Sequence, residues 1–354
     1  MLNKENGGKI KMKYINDITI TEAVIHVLDK NSKEPLLNDF SLELDESTYE
    51  YLYKIFTKCL SDEKLVYAKF LNAEADPEVE VLAENYFKNK QSLLDVSKEL
   101  TNRLFEITSA NTNISSSDLL IASILTDQGP ILAVVKMDYE DKNFKHSIYV
   151  EDEKTMISLI KDRESLPKNA GKVQKAAFIF PKESDTFDLM ILDKKPVSDD
   201  NGTNYFANTF LKAQYVSNER DLTRHFISAM ENWIAKNYAC LPVKAEDIRS
   251  VVRRTYTMED TIDVKELAEE LFGYDEEYDE FIEYCKARSL FPTILIDRTW
   301  VDKTKPKVNL VLEKDIRLSL SSEVYSNPNR FEISANSDGS INFTVKNVMN
   351  YSER

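Results

Sequence analysis

The spacing of apolar residues changes along the chain, and each change predicts a different kind of structure. Residues 15–29 (INDITITEAVIHVLD) are rich in β-branched side chains, which indicates a strand or two. The next segment, LELDESTYEYLYKIFTKCL, places apolar residues at helical spacing after a candidate N-cap, Asp45. Residues 78–110 keep the helical period over a length that predicts two helices.

From residue 118 onward the pattern becomes that of strands. The run DLLIASILTDQGPILAVVKMDYE has two apolar halves around residues 127–130 (DQGP), and these turn-forming residues predict a hairpin. The runs KAAFIFPK and FDLMILDKK, near 175–182 and 187–195, repeat the pattern. Residues 1–195 are therefore predicted to form an α+β domain, with helices packed on a largely antiparallel sheet.

The second half of the chain is predicted to contain a helical domain and then a β-rich segment. Proline, glycine and small polar residues at 196–204 (PVSDDNGTN) indicate a linker or loop. Residues 205–289 return to helical spacing and are predicted to form a helical domain. Residues 290–354 carry β-rich runs, beginning with TILIDRTWV and ending in a hairpin whose turn is NSDG at 336–339.

One helical stretch of the second half is strongly acidic. Residues 270–284 (ELFGYDEEYDEFIEY) contain seven carboxylates and no lysine or arginine. Aromatic and apolar residues interleave with the acids at helical spacing, which predicts an amphipathic helix with an acidic outer face. Such a face is either a solvated surface or a docking site for a basic partner. The candidate docking residues are Asp275, Glu276, Glu277, Asp279, Glu280 and Glu283.

The net charge of the protein limits how it can bind DNA. The 354 residues carry a formal charge of −15. An evenly spread negative charge repels a phosphate backbone, because non-specific DNA affinity comes mainly from lysine and arginine releasing counterions. Direct DNA binding therefore requires a locally basic surface, and otherwise a partner must do the binding.

Composition favours a cytoplasmic protein. No window is apolar enough for a membrane-spanning helix, and the basic start MLNKENGGKIKMKY lacks the apolar region of a secretory signal. Cys59, Cys240 and Cys285 lie far apart in the sequence, which predicts free thiols in a reducing compartment.

The sequence offers no recognisable catalytic, metal or cofactor site. The seven glycines do not occur in the spacing of a phosphate-binding loop or of a nucleophile elbow. His26 lies in an apolar run and is predicted to be a structural residue, and no cysteine and histidine spacing indicates zinc. The carboxylates leave a metal-dependent nuclease as a third hypothesis, although acids crowded on a helix surface do not form the cleft it needs. We therefore expect no enzyme activity, no cofactor and no metal.

The cations that a DNA-binding surface would need occur in two groups. Arg249, Arg253 and Arg254 can share one side of a predicted helix. A second group lies near Trp300, an aromatic residue that can stack on an exposed base. The alternative is that these are ordinary solvated side chains with Trp300 in the core, because no recognition motif accompanies them. The residues predicted to contact nucleic acid are Arg249, Arg253, Arg254, Lys286, Arg288, Arg298, Lys303, Lys305 and Lys307.

Several segments, in order, resemble one known family. They include AVIHVLD, YAKFL at 67–71, SLLDVSKELTNRLFEI at 92–107, NYFANTFLKA at 204–213 and YDEFIEYCKARSLFP, followed by KVNLVLEKDIRLSLS. Together they resemble the bacterial nucleoid-associated proteins of the NdpA/YejK type, from about Ile15 to Val345. The resemblance implies a cytoplasmic protein of the nucleoid that binds DNA or DNA-processing proteins, with no enzymatic chemistry and no catalytic residues to carry over. Where that family tends to have a basic, glycine-containing segment, this chain has PVSDDNGTN, so DNA contact by this loop is not expected.

Two functional hypotheses follow. The first is a nucleoid-associated protein that binds DNA weakly and without sequence preference through the basic residues named above. The second is an acidic scaffold that recruits a basic protein of DNA metabolism without touching DNA. Neither involves a membrane, and both are compatible with a homo-oligomer.

Overall fold

The protein is described by a computed structural model that covers residues 14–350, except 72–77, 140–142, 152–153, 163–165, 167–169, 183–186, 200–201, 305–306, 313–314, 326 and 339. The described residues divide into two compact units, an N-terminal unit of residues 14–216 and a C-terminal unit of residues 217–350. The basic segment at residues 1–13, which lacks the apolar region of a secretory signal, lies outside the described residues. The predicted boundaries at 195, 204 and 289 stay predictions.

The N-terminal unit is built on a seven-stranded sheet in which all neighbours are antiparallel. Its order is β1-β3-β4-β7-β8-β2-β9. A separate hairpin pairs β5 with β6. The strands are β1 (Ile18–Leu28), β2 (Leu65–Phe70), β3 (Ser117–Thr126), β4 (Gly129–Asp138), β5 (Asn143–Glu151), β6 (Lys154–Asp162), β7 (Lys175–Ile179), β8 (Leu189–Asp193) and β9 (Ala213–Val216). The α+β class predicted from the sequence is confirmed.

Among the described residues, this unit also has three α-helices and two shorter turns. They are α1 (Glu46–Leu60), α2 (Glu78–Phe87), α3 (Leu93–Ala110), a 3-10 turn (Ala170–Lys172) and a π-helical turn (Tyr205–Phe210). The side chain of Asp45 accepts a hydrogen bond from the Thr48 amide and caps α1, as the sequence predicted. Ser92 caps α3 through the Asp95 amide in the same way.

The central strands are buried on both faces. Every residue of β4 from Ile131 to Met137 is buried, including Lys136. On one face, Leu132 and Val134 belong to the core cluster that also contains Val96, Leu100 and Leu104 of α3. The other side chains of β4 are buried away from that cluster, which explains why this strand has an almost continuous apolar sequence rather than an alternating one.

His26 of β1 is a buried structural residue, as predicted. The Asn38 amide donates a hydrogen bond to its Nδ1 at 2.9 Å. That bond places the ring proton on Nε2, which lies 2.8 Å from Ser97 Oγ on α3. Burial, with a smaller contribution from the Lys98 cation, lowers the pKa of His26 to about 4. The ring is therefore neutral at physiological pH and ties β1 to α3.

The C-terminal unit begins with helices and ends in small two-stranded sheets. Its helices are α4 (Glu219–Asn237), α5 (Pro242–Met258), α6 (Val264–Phe272), α7 (Glu276–Lys286), α8 (Arg298–Thr304) and α9 (Ser322–Tyr325). Its strands are β10 (Thr261–Asp263), β11 (Thr293–Leu295), β12 (Lys307–Leu312), β13 (Ile316–Ser321), β14 (Phe331–Ala335) and β15 (Ile341–Val345). They pair as β10 with β11, β12 with β13 and β14 with β15. The aromatic core around Trp233 includes Phe281, 5.6 Å away between ring centroids, and Tyr284, 4.8 Å away.

The strand predicted from TILIDRTWV is half wrong. Residues 293–295 form β11, but residues 298–304 form the helix α8. The reason is Asp297, whose carboxylate accepts a hydrogen bond from the Trp300 amide at 2.9 Å and starts the helix as an N-cap does. No helix among the described residues is both long and apolar enough to cross a membrane.

Candidate interaction surfaces

Carboxylates accompany each of the three arginines of α5, and they come from different helices. Arg249 Nε lies 3.1 Å from Glu231 of α4. Arg253 lies 4.0 Å from Glu246, and its guanidinium is also 4.4 Å from the centre of the Tyr325 ring. Arg254 forms an ion pair with Glu270 of α6.

Glu246 is the carboxylate that two of these arginines share. It lies 3.9 Å from Arg249 and 4.0 Å from Arg253. Burial raises the pKa of the Glu246 carboxyl, while the two arginines and a hydrogen bond with Tyr325 act in the opposite direction. The positive charges of these arginines are therefore balanced by Glu246 and the other paired carboxylates. None of them is left over to bind a phosphate.

The cations between residues 286 and 298 also interact with nearby groups of the protein. Lys286 Nζ is 2.7 Å from Glu283. Arg288 stacks on the Tyr284 ring at 3.6 Å and donates a hydrogen bond to the Tyr284 carbonyl at 3.3 Å. Arg298 donates to the Met258 carbonyl at 2.7 Å and lies 3.9 Å from Asp260.

The remaining predicted nucleic-acid contacts are three lysines close together in sequence. Lys303 is exposed in the last turn of α8, Lys307 is exposed at the start of β12, and Lys305 lies outside the described residues. Trp300, beside them in sequence, is only 8% exposed and belongs to the core. The hypothesis that Trp300 stacks on a base is therefore wrong, because Asp297 starts a helix that turns this side chain inward.

The β12–β13 ribbon is different from the other basic segments. Its outward positions are Lys307, Asn309 and Val311 on β12, and Arg317, Ser319 and Ser321 on β13. Neither Lys307 nor Arg317 takes part in the ion pairs found among the described residues of this unit. Two exposed cations among hydrogen-bonding side chains on a two-stranded ribbon have the dimensions to enter a DNA groove.

The acidic stretch forms α7 and is amphipathic, as predicted. Phe281, Ile282 and Cys285 are buried on its inner face. Among the candidate docking residues, Asp275, Glu276, Asp279, Glu280 and Glu283 are exposed. Glu277 is half-buried and lies 2.9 Å from Lys244. Several of these acids occupy the first turn of the helix, where the helix dipole stabilises negative charge.

A second acidic feature of this unit is a cavity beside α5 and α6. Residues 259–287 carry twelve carboxylates and two lysines. The cavity has a volume of about 370 Å³, and its charged lining residues are Arg254, Glu259, Asp263, Glu266 and Glu270. Met258, at its edge, is 68% exposed, and Tyr274, between α6 and α7, is 80% exposed. An apolar side chain inside an acidic rim is a pattern found where proteins bind other proteins.

The described residues contain little that resembles a catalytic centre. Burial raises the pKa of the Cys59 and Cys285 thiols to about 12 each, so neither is a ready nucleophile, and Cys240 is exposed. All three cysteines are free thiols, as predicted. No group of three or more histidines, cysteines and acids among the described residues could hold a metal ion.

Comparison with protein-family models identifies the family of this chain. The family model NA37, described as nucleoid-associated protein YejK, matches residues 24–353 of the chain. No curated protein matches it. The sequence had predicted this family from the order of its segments. Sequence reasoning missed the ion pairs between helices, such as Arg254 with Glu270, because no local pattern shows which acid will lie beside which arginine.

Proposed function

The chain belongs to the NA37 family of nucleoid-associated proteins, and we propose that it acts at the nucleoid as an adaptor that binds a basic protein partner through its C-terminal unit. The partner surface consists of the exposed acids of α7 together with the acidic cavity beside α5 and α6. A lysine- and arginine-rich segment of a DNA-bound protein has the complementary charge. In this proposal the chain performs no catalysis.

The observation that carries the proposal is the contrast between paired cations and exposed acids in the same unit. Arg249, Arg253 and Arg254 each lie within 4.0 Å of a carboxylate or in contact with one. A phosphate could bind them only by displacing those carboxylates. In contrast, Glu276, Asp279 and Glu280 are exposed, and none takes part in the ion pairs found among the described residues.

The cavity adds specificity to this electrostatic attraction. Charge complementarity speeds association and orients the two partners, but it contributes less to affinity than a desolvated anchor does. Exposed Met258 and the apolar Ile262 and Leu267 in the cavity lining offer a surface for the aliphatic stem of a lysine or arginine. The acids of the rim then receive its charged end.

The test is binding of a lysine- and arginine-rich peptide, followed by fluorescence anisotropy at several salt concentrations. We expect the variant Glu276→Gln, Asp279→Asn, Glu280→Gln to bind the peptide about tenfold more weakly than wild type at low salt, because three exposed charges of α7 are lost. The matched control is Glu34→Gln, Glu43→Gln, Glu106→Gln, which removes three exposed acids from the N-terminal unit. Equal weakening in both variants would show only a response to net charge and would refute the docking surface.

A second candidate function is direct DNA contact through the β12–β13 ribbon. Exposed Lys307 and Arg317, which lack ion pairs among the described residues of this unit, favour it. The variant Lys307→Gln, Arg317→Gln should then reduce the salt dependence of duplex binding by about two units of the logarithmic slope. The control Lys236→Gln, Arg330→Gln removes two other exposed cations of the same unit and should leave that slope unchanged.

A further inference from the structure

Two tyrosines at the junction of α6 and α7 lie close together at the surface of the C-terminal unit. Tyr274 is 80% exposed, and Tyr278, in the first turn of α7, is half-buried. Their ring centroids are 5.7 Å apart, with an angle of 43° between the ring planes. Tyr274 therefore contributes little apolar burial to the fold, and most of its ring is accessible to a partner.

Carboxylates lie on both sides of Tyr274 in the chain. A hydrogen bond to Glu269 of α6, together with the charge of that carboxylate, raises the pKa of the Tyr274 hydroxyl. Glu269 is exposed, and it takes no part in the ion pairs found among the described residues of this unit. Asp275 and Glu276 follow Tyr274 and are exposed as well. The electrostatic field around this ring therefore attracts a cation and repels a phosphate.

A tyrosine, a glutamate and an arginine form a complete group elsewhere in the same unit. The guanidinium of Arg253 lies 4.4 Å from the centre of the Tyr325 ring and 4.0 Å from Glu246. Burial raises the pKa of the Tyr325 hydroxyl, and Glu246 raises it further, whereas Arg253 acts in the opposite direction. One guanidinium thus lies beside an aromatic ring and a carboxylate that are themselves neighbours.

Tyr274 and Glu269 reproduce two members of that group. In both places a glutamate acts on the hydroxyl of the neighbouring tyrosine. The cation–π contacts found among the described residues of this unit involve neither Tyr274 nor Tyr278. Tyr325 is only 8% exposed and receives its cation from α5, whereas the exposed Tyr274 can receive one from another molecule.

An arginine fits this arrangement better than a lysine does. A planar guanidinium can stack on a ring and donate to a carboxylate at the same time, while an ammonium group is compact and strongly hydrated. Arg288 also stacks on a tyrosine of this unit, at 3.6 Å from the Tyr284 ring. We propose that Tyr274 and Glu269 receive an arginine side chain of the basic partner, with its guanidinium stacked on the tyrosine ring and hydrogen-bonded to the carboxylate. This inference rests on the proposed function and makes the docking surface selective for arginine over lysine.

The test compares two peptides of equal length and charge, one with arginine and the other with lysine at each basic position. Binding to the full chain is followed by fluorescence anisotropy at low salt. We expect wild type to bind the arginine peptide about two- to fivefold more tightly, which is the effect of one cation–π contact at an exposed site. Attraction to the acids of α7 by charge alone gives no such preference, because the two peptides carry the same charge.

Three variants identify the ring as the source of the preference. Tyr274→Leu should lower the affinity for the arginine peptide to that for the lysine peptide, which should change little. Tyr274→Phe keeps an aromatic ring and should keep the preference. The matched control Tyr215→Leu removes a tyrosine of the N-terminal unit that is 49% exposed, and it should keep the preference as well.

The proposal is overturned if wild type binds both peptides equally, if the preference survives in Tyr274→Leu, or if Tyr274→Phe or Tyr215→Leu abolishes it. Equal binding of both peptides that is lost in Glu276→Gln, Asp279→Asn, Glu280→Gln overturns the arginine site alone and leaves the docking surface in place. Absence of binding by both peptides overturns the arginine site and the proposed function together.

Discussion

The two units differ in how deeply some of their ion pairs are buried. The N-terminal unit buries Lys136 and Lys175 in its sheet and matches each with a carboxylate, in addition to surface pairs such as Lys54 with Glu50. In the C-terminal unit, the pairs of Arg254 with Glu270 and of Lys286 with Glu283 are exposed. A buried pair is committed to the fold, because removing one partner leaves an uncompensated charge away from water. An exposed pair contributes little to stability, so its removal changes the fold little.

The largest expected effect comes from breaking a buried pair. Lys175→Met removes the cation beside Asp193, a buried carboxylate that keeps the hydrogen bond from Asn204, and we expect a loss of about 3–5 kcal/mol in the free energy of unfolding. Denaturant unfolding at neutral pH measures it. The double variant Lys175→Met, Asp193→Leu removes both charges and should be more stable than the single variant. A single variant that loses less than about 1 kcal/mol would show that the pair is not desolvated.

The next effect concerns pH and also lies in the N-terminal unit. Because the pKa of His26 is lowered to about 4 in the folded state, the unfolded chain binds more protons than the folded chain between about pH 6.5 and 4. Stability is therefore lost as the pH falls through that window, by about 3 kcal/mol from this group. Denaturant unfolding at pH 7, 5.5 and 4 should show a smaller loss for His26→Gln than for wild type.

The matched control for the pH experiment is His225→Gln. His225 is exposed in α4 and lies 3.0 Å from the Arg288 carbonyl. This variant tests whether the loss of any histidine, rather than of buried His26, alters the pH dependence. If His26→Gln and wild type lose stability in parallel as the pH falls, then His26 is protonated in the folded state, and the assigned role of burial is wrong.

The smallest effect on stability is expected at the surface of the C-terminal unit. Arg254→Gln breaks the pair with Glu270 and should change the free energy of unfolding by less than about 1 kcal/mol. It also leaves Glu270 without its cation in the acidic cavity, so a basic peptide should bind severalfold more tightly. Thermal unfolding and peptide anisotropy on the same sample check both parts. Weaker peptide binding would mean that Arg254 itself supports the docking surface.

Elements of the fold were predictable where the signal is local. The hairpin of β3 and β4 and the amphipathic helix α7 followed from apolar periodicity and turn residues within a short stretch. The helix α8 was missed because the strand-like run TILI continues into RTWV, and only the N-cap at Asp297 shows where the helix begins. The strand order, with β2 between β8 and β9, depends on contacts between distant parts of the chain and leaves no local signal.

The candidate sites were less predictable than the fold, for the same physical reason. The arginines of α5 could be placed on a helix from the apolar spacing around them. Their neutralisation by Glu231 of α4 and Glu270 of α6 depends on how three helices pack. Lys136 in the run ILAVVKMDY was visible in the sequence, but its burial in the sheet required the folded structure.

The most direct test of the adaptor proposal measures retention of the chain on DNA-coated beads at physiological salt. Bare DNA beads are compared with the same beads preloaded with an excess of a lysine-rich peptide. The adaptor account predicts retention only on the preloaded beads, and its loss in the variant Glu276→Gln, Asp279→Asn, Glu280→Gln but not in the control with three acids removed from the N-terminal unit. Equal or stronger retention on bare DNA, lost in Lys307→Gln, Arg317→Gln, would contradict it and establish direct contact through the β12–β13 ribbon.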